Sequence, residues 1–339
     1  MNDPMNSKPT SETAGQYAAR LRGELTIGDV VTLGFMITKQ RWNKSLRLIL
    51  QGFGWLLLPV FSGGFLLAFM PAMMPLSSRA TRSVPPGSVG LMVLFSVVWL
   101  VCFLYCFGRY LSIAGLVSRL AFNDLADHEE SLQDSKRFTA SRTWSYLLSA
   151  FLCSLLFGLM LIVVGIGVFI ILMILGAIAM GLGIETSRAG ASLPMIIVTL
   201  IALLVMFVMV TGLLWWFGSR FLFYEVPLSV EREVGAVATI GRTWSLGNGA
   251  NWRLMMITSV AFLVTVPVQV MAQFVGSIPV FLLRSAGDAV PIALFFATAL
   301  NLVVSLVTSM LAVSFWQTIK AVAYFDLRNR REGEGLILR

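Results

Sequence analysis

Few residues in this chain have types and spacing suited to chemistry, and one loop holds most of them. His128, the single histidine, stands among Asp124, Asp127, Glu129 and Glu130. An imidazole beside carboxylates binds a divalent metal when three or four of them converge. Consecutive acids on a loop more often form a solvated surface, and we read this loop that way. A Ser-His-Asp arrangement has little to build on, because the sole histidine lies in the same loop. Cys102 and Cys106 are one helical turn apart, with no histidine or carboxylate nearby. Together with Cys153 they sit in apolar segments and read as small buried hydrophobes. No phosphate-cradling glycine loop of P-loop or dinucleotide type occurs. These residues predict a protein that is not an enzyme and carries no cofactor and no metal.

Two neutral polar stripes remain. Thr265, Gln269 and Gln273 recur every fourth residue, and Asn301, Ser305 and Ser309 repeat the spacing. Each set occupies one face of a helix, and the two faces are placed to oppose each other. They form either a polar path for a substrate or a seam of interhelical hydrogen bonds, worth about 0.6 kcal/mol per contact. The seam is the default.

A third pattern is cationic and aromatic. Arg41-Trp42 recurs as Arg142-Thr143-Trp144 and as Arg242-Thr243-Trp244. Each is followed by an apolar stretch, a polar loop, a second apolar stretch and a closing cation: Arg109, Arg220 and Lys320. Tryptophan favours the headgroup level of a bilayer, and arginine reaches toward phosphate while burying its stem. Arg41, Trp42, Arg142, Trp144, Arg220, Arg242 and Trp244 are therefore candidate anchors to lipid headgroups or to a partner.

The elements that position these groups follow from composition. Hydrophobic residues are 57% of the 339, charged residues 12%, and mean hydropathy is +0.84. A soluble domain carries about twice that charge fraction. The apolar residues fall into runs long enough to cross a bilayer, which takes roughly 20 residues. Six spans are predicted near 48–70, 89–109, 145–173, 194–217, 254–275 and 290–317, with no charged residue in the middle of any of them. That absence lowers the prospect of ion-coupled transport. The run from Trp144 to Leu182 exceeds one crossing. It is either one long tilted helix or a helix broken near Gly165-Ile166-Gly167. The fold class expected is all-α: a polytopic membrane bundle of six helices, arranged as three repeated hairpins (about 26–128, 129–229 and 230–333) with cytoplasmic interfacial helices.

Charge distribution favours six crossings. The loops on one side hold only Arg79, Arg82, Arg188 and Arg284, which leaves 21 of the 25 Lys and Arg to the other side. Positive flanks mark the cytoplasmic face, so both termini are predicted there, in a cytoplasmic (inner) membrane or an internal membrane. The net charge of +8 follows the span ends and forms no separate nucleic-acid patch; anionic lipids are the expected partners. Residues 1–22 are polar and read as a disordered tail rather than a secretory signal, and 334–339 read as a second tail. From Thr26 to Arg47 an amphipathic helix is expected, with Ile27, Val30, Val31, Phe35, Trp42 and Leu46 on one face and Thr26 as its cap. The stretches Glu130–Thr143 and Val230–Thr243 read as further interfacial helices.

The segment Arg220 to Leu254 (RFLFYEVPLSVEREVGAVATIGRTWSLGNGANWRL), the end Tyr324 to Gly333 (YFDLRNRREG) and the entry Thr26 to Val31 resemble a large group of bacterial six-span membrane proteins of unknown function. That group is similar to the membrane domain attached to some glycerophosphodiester phosphodiesterases. The resemblance covers roughly residues 25–333 and implies the membrane module alone. The diesterase domain is a TIM barrel using two histidines and metal-binding carboxylates, and this chain has one histidine and no room for a barrel. The expected role is a non-catalytic scaffold, assembly or envelope-maintenance component; the alternative is a transporter or lipid-handling protein using the polar stripes.

Overall fold

The computed structural model describes residues 25–73, 86–181, 193–285 and 291–332. The tails, Arg79, Arg82 and Arg188 lie outside the described residues. All described elements are helices. They run α1 (Ile27–Gln40), α2 (Trp42–Met73), α3 (Pro86–Leu125), α4 (Leu132–Ser141), α5 (Thr143–Gly181), α6 (Leu193–Arg220), α7 (Val226–Val230), α8 (Ala236–Gly247), α9 (Asn251–Ser285) and α10 (Pro291–Glu332). Six of them, α2, α3, α5, α6, α9 and α10, are long and apolar enough to cross a membrane.

The long run after Arg142 is one helix. α5 continues through Gly165 and Gly167 to Gly181 over 39 residues, about 58 Å at 1.5 Å each. A Cβ at either glycine would meet open space, so nothing packs there to break the helix. That exceeds a bilayer's roughly 30 Å, a difference that tilt or protrusion would take up.

The entry helix is shorter than the sequence suggests. The expected helix to Arg47 ends at Gln40, because Arg41 takes φ −102° and ψ 16° and its N–H bonds to the carbonyls of Ile37 and Lys39. Trp42 then opens α2. At the other end Thr26 and Asp29 form a reciprocal capping box: the Thr26 hydroxyl accepts from the Asp29 N–H at 3.2 Å, and the Asp29 carboxylate accepts from the Thr26 N–H at 2.8 Å. The buried face of α1 is Val30, Leu33, Gly34, Ile37 and Thr38, whereas Phe35 points outward. Gly34 is needed there, since a Cβ would lie 2.8 Å from Ile319 Cγ1 on α10.

Arg142 ends α4 with the same φ and ψ as Arg41. The third Arg-Trp pair differs. Arg242 and Trp244 lie inside α8, which continues to Gly247 before the chain turns at Asn248–Ala250. The hundred-residue match between Arg142-Thr143-Trp144 and Arg242-Thr243-Trp244 therefore joins residues in different local conformations.

The core is concentrated at one end of the bundle. Val30, Leu33, Phe122, Phe223, Leu254, Ile257, Ile319, Val322 and Tyr324 form its centre, drawing on α1, α3, α9, α10 and the segment after α6. A second cluster joins α2, α3 and α10 through Ile49, Phe53, Leu116, Val117 and Met310. Burying such side chains contributes about 1.5–3 kcal/mol each. Away from this end the helices are clad in exposed apolar residues, as a lipid-facing surface requires. The band on α9 runs from Phe262 to Leu282 and that on α10 from Ile292 to Val307.

Candidate functional site

Two regions collect the chain's polar groups: a charged platform at the core end, and a groove between α9 and α10.

The platform is held by arginines from every part of the sequence. Arg119 on α3 donates to both Glu130 oxygens at 2.8 Å and to the Ser229 carbonyl at 2.6 Å. Glu130 also accepts from Asn123 at 2.8 Å and Ser135 at 2.7 Å. These donors, Arg119 first, hold the Glu130 carboxyl at about 2. Phe138 lies between two guanidinium groups, with Arg119 4.1 Å and Arg142 4.5 Å from its ring. Arg142 in turn donates to the carbonyls of Leu228, Glu231 and Val234 at 3.1, 2.8 and 3.2 Å, and to that of Arg232. It grips the α7–α8 connection by its backbone. Arg242 reaches Glu231 and Glu332, and the Tyr324 hydroxyl donates to Glu231. Arg253 and Arg330 share Asp326 and the Leu25 carbonyl, so the two ends of the described chain meet at one carboxylate.

A deeper pair sits beneath. Glu225 is 3% exposed and accepts from Lys320 at 2.5 Å and from Gln317 at 2.8 Å. Ser118 donates to Gln317 Oε1 at 2.6 Å. Burial first, and then the Glu225 charge, push the neighbouring Tyr224 phenol well above its ordinary range.

The candidate anchors divide on this geometry. Arg41 pairs with Asp124, and Arg142 and Arg242 are engaged as above. Their guanidinium groups serve the protein, while Trp42, Trp144 and Trp244 remain exposed. Arg220 is different. It makes no hydrogen bond or ion pair with any described residue. Its guanidinium carbon lies 4.2 Å from the Trp244 ring and 4.7 Å from the Trp216 ring. Each indole contributes about 0.5–2 kcal/mol. Withdrawing an unpaired cation from water costs several kcal/mol, so the two rings alone leave a deficit. Arg109, the closing cation of the first unit, lies over Trp55 at 5.7 Å.

The groove brings the two neutral stripes together. Ser305 donates to Gln273 Oε1 at 3.1 Å. Gln269, Gln273, Ser305, Thr308 and Ser309 line a cavity of about 330 Å³. It lies midway along the exposed apolar band of α9 and at the Val307 end of that of α10. Asn301 packs against Gly276, where a Cβ would lie 2.6 Å from Asn301 Oδ1, and that oxygen is buried without a partner. Thr265 does not line the cavity: it is buried and donates to the Ala261 carbonyl of its own helix at 2.9 Å.

The acidic loop is divided among arginines rather than gathered around His128. Asp124 turns to Arg41 and Glu130 to Arg119, while Asp127, in the left-handed region at φ 49°, His128 and Glu129 are exposed. Among the described residues no three His, Cys, Asp or Glu side chains are grouped to hold a metal ion. Cys102, Cys106 and Cys153 carry free thiols.

Sequence patterning does not single out Glu130, Glu225, Glu231, Asp326 and Glu332 as the acids that bind the platform together. The available signal is that in so apolar a chain an acid just beyond a span end needs a cationic partner. The architecture is that of an integral multi-pass membrane protein. No protein-family model, curated protein or solved structure matches the chain.

Proposed function

We propose that this chain is a non-catalytic scaffold or assembly component of a bacterial cytoplasmic or internal membrane. Its platform lies on the cytoplasmic side together with both termini. The observation that carries this reading is the state of α5 and α6. None of the strongly apolar window of either helix is buried within the chain. Fully buried residues of α5 end at Ala150, and among the described side chains of α6 only Ser219 and Arg220 are buried. These two helices join the protein at the platform and leave their remaining lengths free for lipid or for the helices of another membrane protein. A platform cross-linked by partly buried ion pairs, carrying two open helices, suits holding a partner better than cycling between states. Short helices α1, α4 and α8 then lie at the membrane surface, and the three Arg-Trp units form related hairpins around the platform, as in the six-span group the sequence resembles.

The cavity at Gln273 and Ser305 favours a second reading, transport or handling of a lipid or small molecule. Replacing Gln269 and Gln273 together with leucine separates the two. In cells lacking the native chain, the scaffold reading expects the double variant to restore the phenotype fully. Loss of restoration by a variant that still accumulates in the membrane would support the transport reading instead.

A further inference from the structure

Where α6 ends against α8, the fold holds a cation with nothing negative beside it. Arg220 is 7% exposed, and its Nε is buried with no acceptor. Trp216 and Trp244 flank the guanidinium with their ring faces, which satisfy charge but not the in-plane N–H groups. Neither indole N–H has an acceptor among the described residues. The constellation therefore offers hydrogen-bond donors only, around a fixed positive charge, and its complement is an oxyanion. Its depth says which one. The site closes the apolar band of α6, and Leu213, Trp216 and Trp244 remain substantially exposed around it, so the open side faces the level where lipid headgroups lie.

We propose that Arg220, Trp216 and Trp244 form a binding site for the phosphate of an anionic phospholipid headgroup. The guanidinium donates to the phosphate oxygens and the two indoles wall the site laterally. The other Arg-Trp positions lack this property, because Arg41, Arg142 and Arg242 already have acceptors within the chain. Arg109 shares a buried Nε without an acceptor, but it lies over a single ring at 5.7 Å and has a less complete cage. The proposal rests on the membrane architecture and not on the scaffold reading, since it concerns the solitary chain.

The test is native mass spectrometry of the full chain in neutral detergent. Phosphatidylglycerol and phosphatidylcholine are supplied in equal amounts, with and without millimolar inorganic phosphate. The wild-type chain is expected to retain phosphatidylglycerol preferentially, and Arg220→Gln to lower that retention about tenfold. Arg220→Lys keeps the charge and is expected to keep part of the preference. Trp244→Leu leaves the cation in place, removes one wall and is expected to weaken retention several-fold, which keeps the proposal falsifiable if Arg220→Gln does not fold. Equal retention by wild type and Arg220→Gln, or by wild type and Trp244→Leu, would overturn the proposal. Displacement of the lipid by inorganic phosphate would overturn the headgroup assignment in favour of a free anion.

Discussion

Replacing Glu130 with glutamine should unlatch the platform. Among the described residues Glu130 is the only carboxylate on Arg119, and it also accepts from Asn123 and Ser135. Its side chain is 15% exposed and that of Arg119 is 7% exposed, so solvent screens the pair little. Drawing a carboxyl from its ordinary 4.5 to about 2 corresponds to about 3 kcal/mol. Removing one partner of a buried pair costs about 3–5 kcal/mol. Both routes give about 3 kcal/mol for Glu130→Gln, read by reversible unfolding in mixed micelles. The direction with pH follows from the depressed carboxyl. Its stabilisation is complete above 4.5 and is lost as pH falls toward 2. The gap between wild type and variant should therefore be constant near neutrality and close in acid. Arg119→Leu combined with Glu130→Gln should cost less than the two singles added. A Glu130→Gln loss below about 1 kcal/mol, or a gap that widens in acid, would contradict the latch.

Gly115→Ala places a Cβ 2.7 Å from the Tyr146 ring and hydroxyl and should lower stability by about 1–3 kcal/mol in thermal unfolding. Gly34→Leu should undock α1 from Ile319, seen as proteolysis near Arg41 in membranes that leave the wild type intact. A reporter active only in the periplasm, fused after Arg339, should be silent; activity there would contradict six crossings with cytoplasmic ends.

The sequence made some of this fold legible and hid the rest for physical reasons. Length and hydropathy mark the six long helices because a bilayer imposes both. Thr26 and Asp29 announce the start of α1 because capping is local. The end of α1 at Gln40 is not local: periodicity runs on past Arg41, and the break serves the docking of Val30, Leu33 and Gly34 against α10. The stripes at Gln273 and Ser305 could be paired because each lies on one helix face. The roles of Arg41 and Arg142 could not be read, since their hydrogen-bond acceptors stand 83 to 92 positions away along the chain; of the two acids on Arg242, Glu231 is 11 positions away and Glu332 is 90. Arg-Trp spacing looks the same whether the guanidinium faces a phosphate or a carbonyl, and only the fold separates Arg220 from the others.

The sharpest test of the scaffold reading is native mass spectrometry after gentle extraction from the protein's own membrane, with photo-crosslinking residues placed at Ile162, Phe169 and Phe207 on the open lengths of α5 and α6. One membrane protein at fixed stoichiometry, crosslinked at those positions, is expected. A solitary chain carrying only a lipid or small molecule, with no protein crosslinked at those positions, would contradict the scaffold reading and point to the Gln269–Ser305 groove instead.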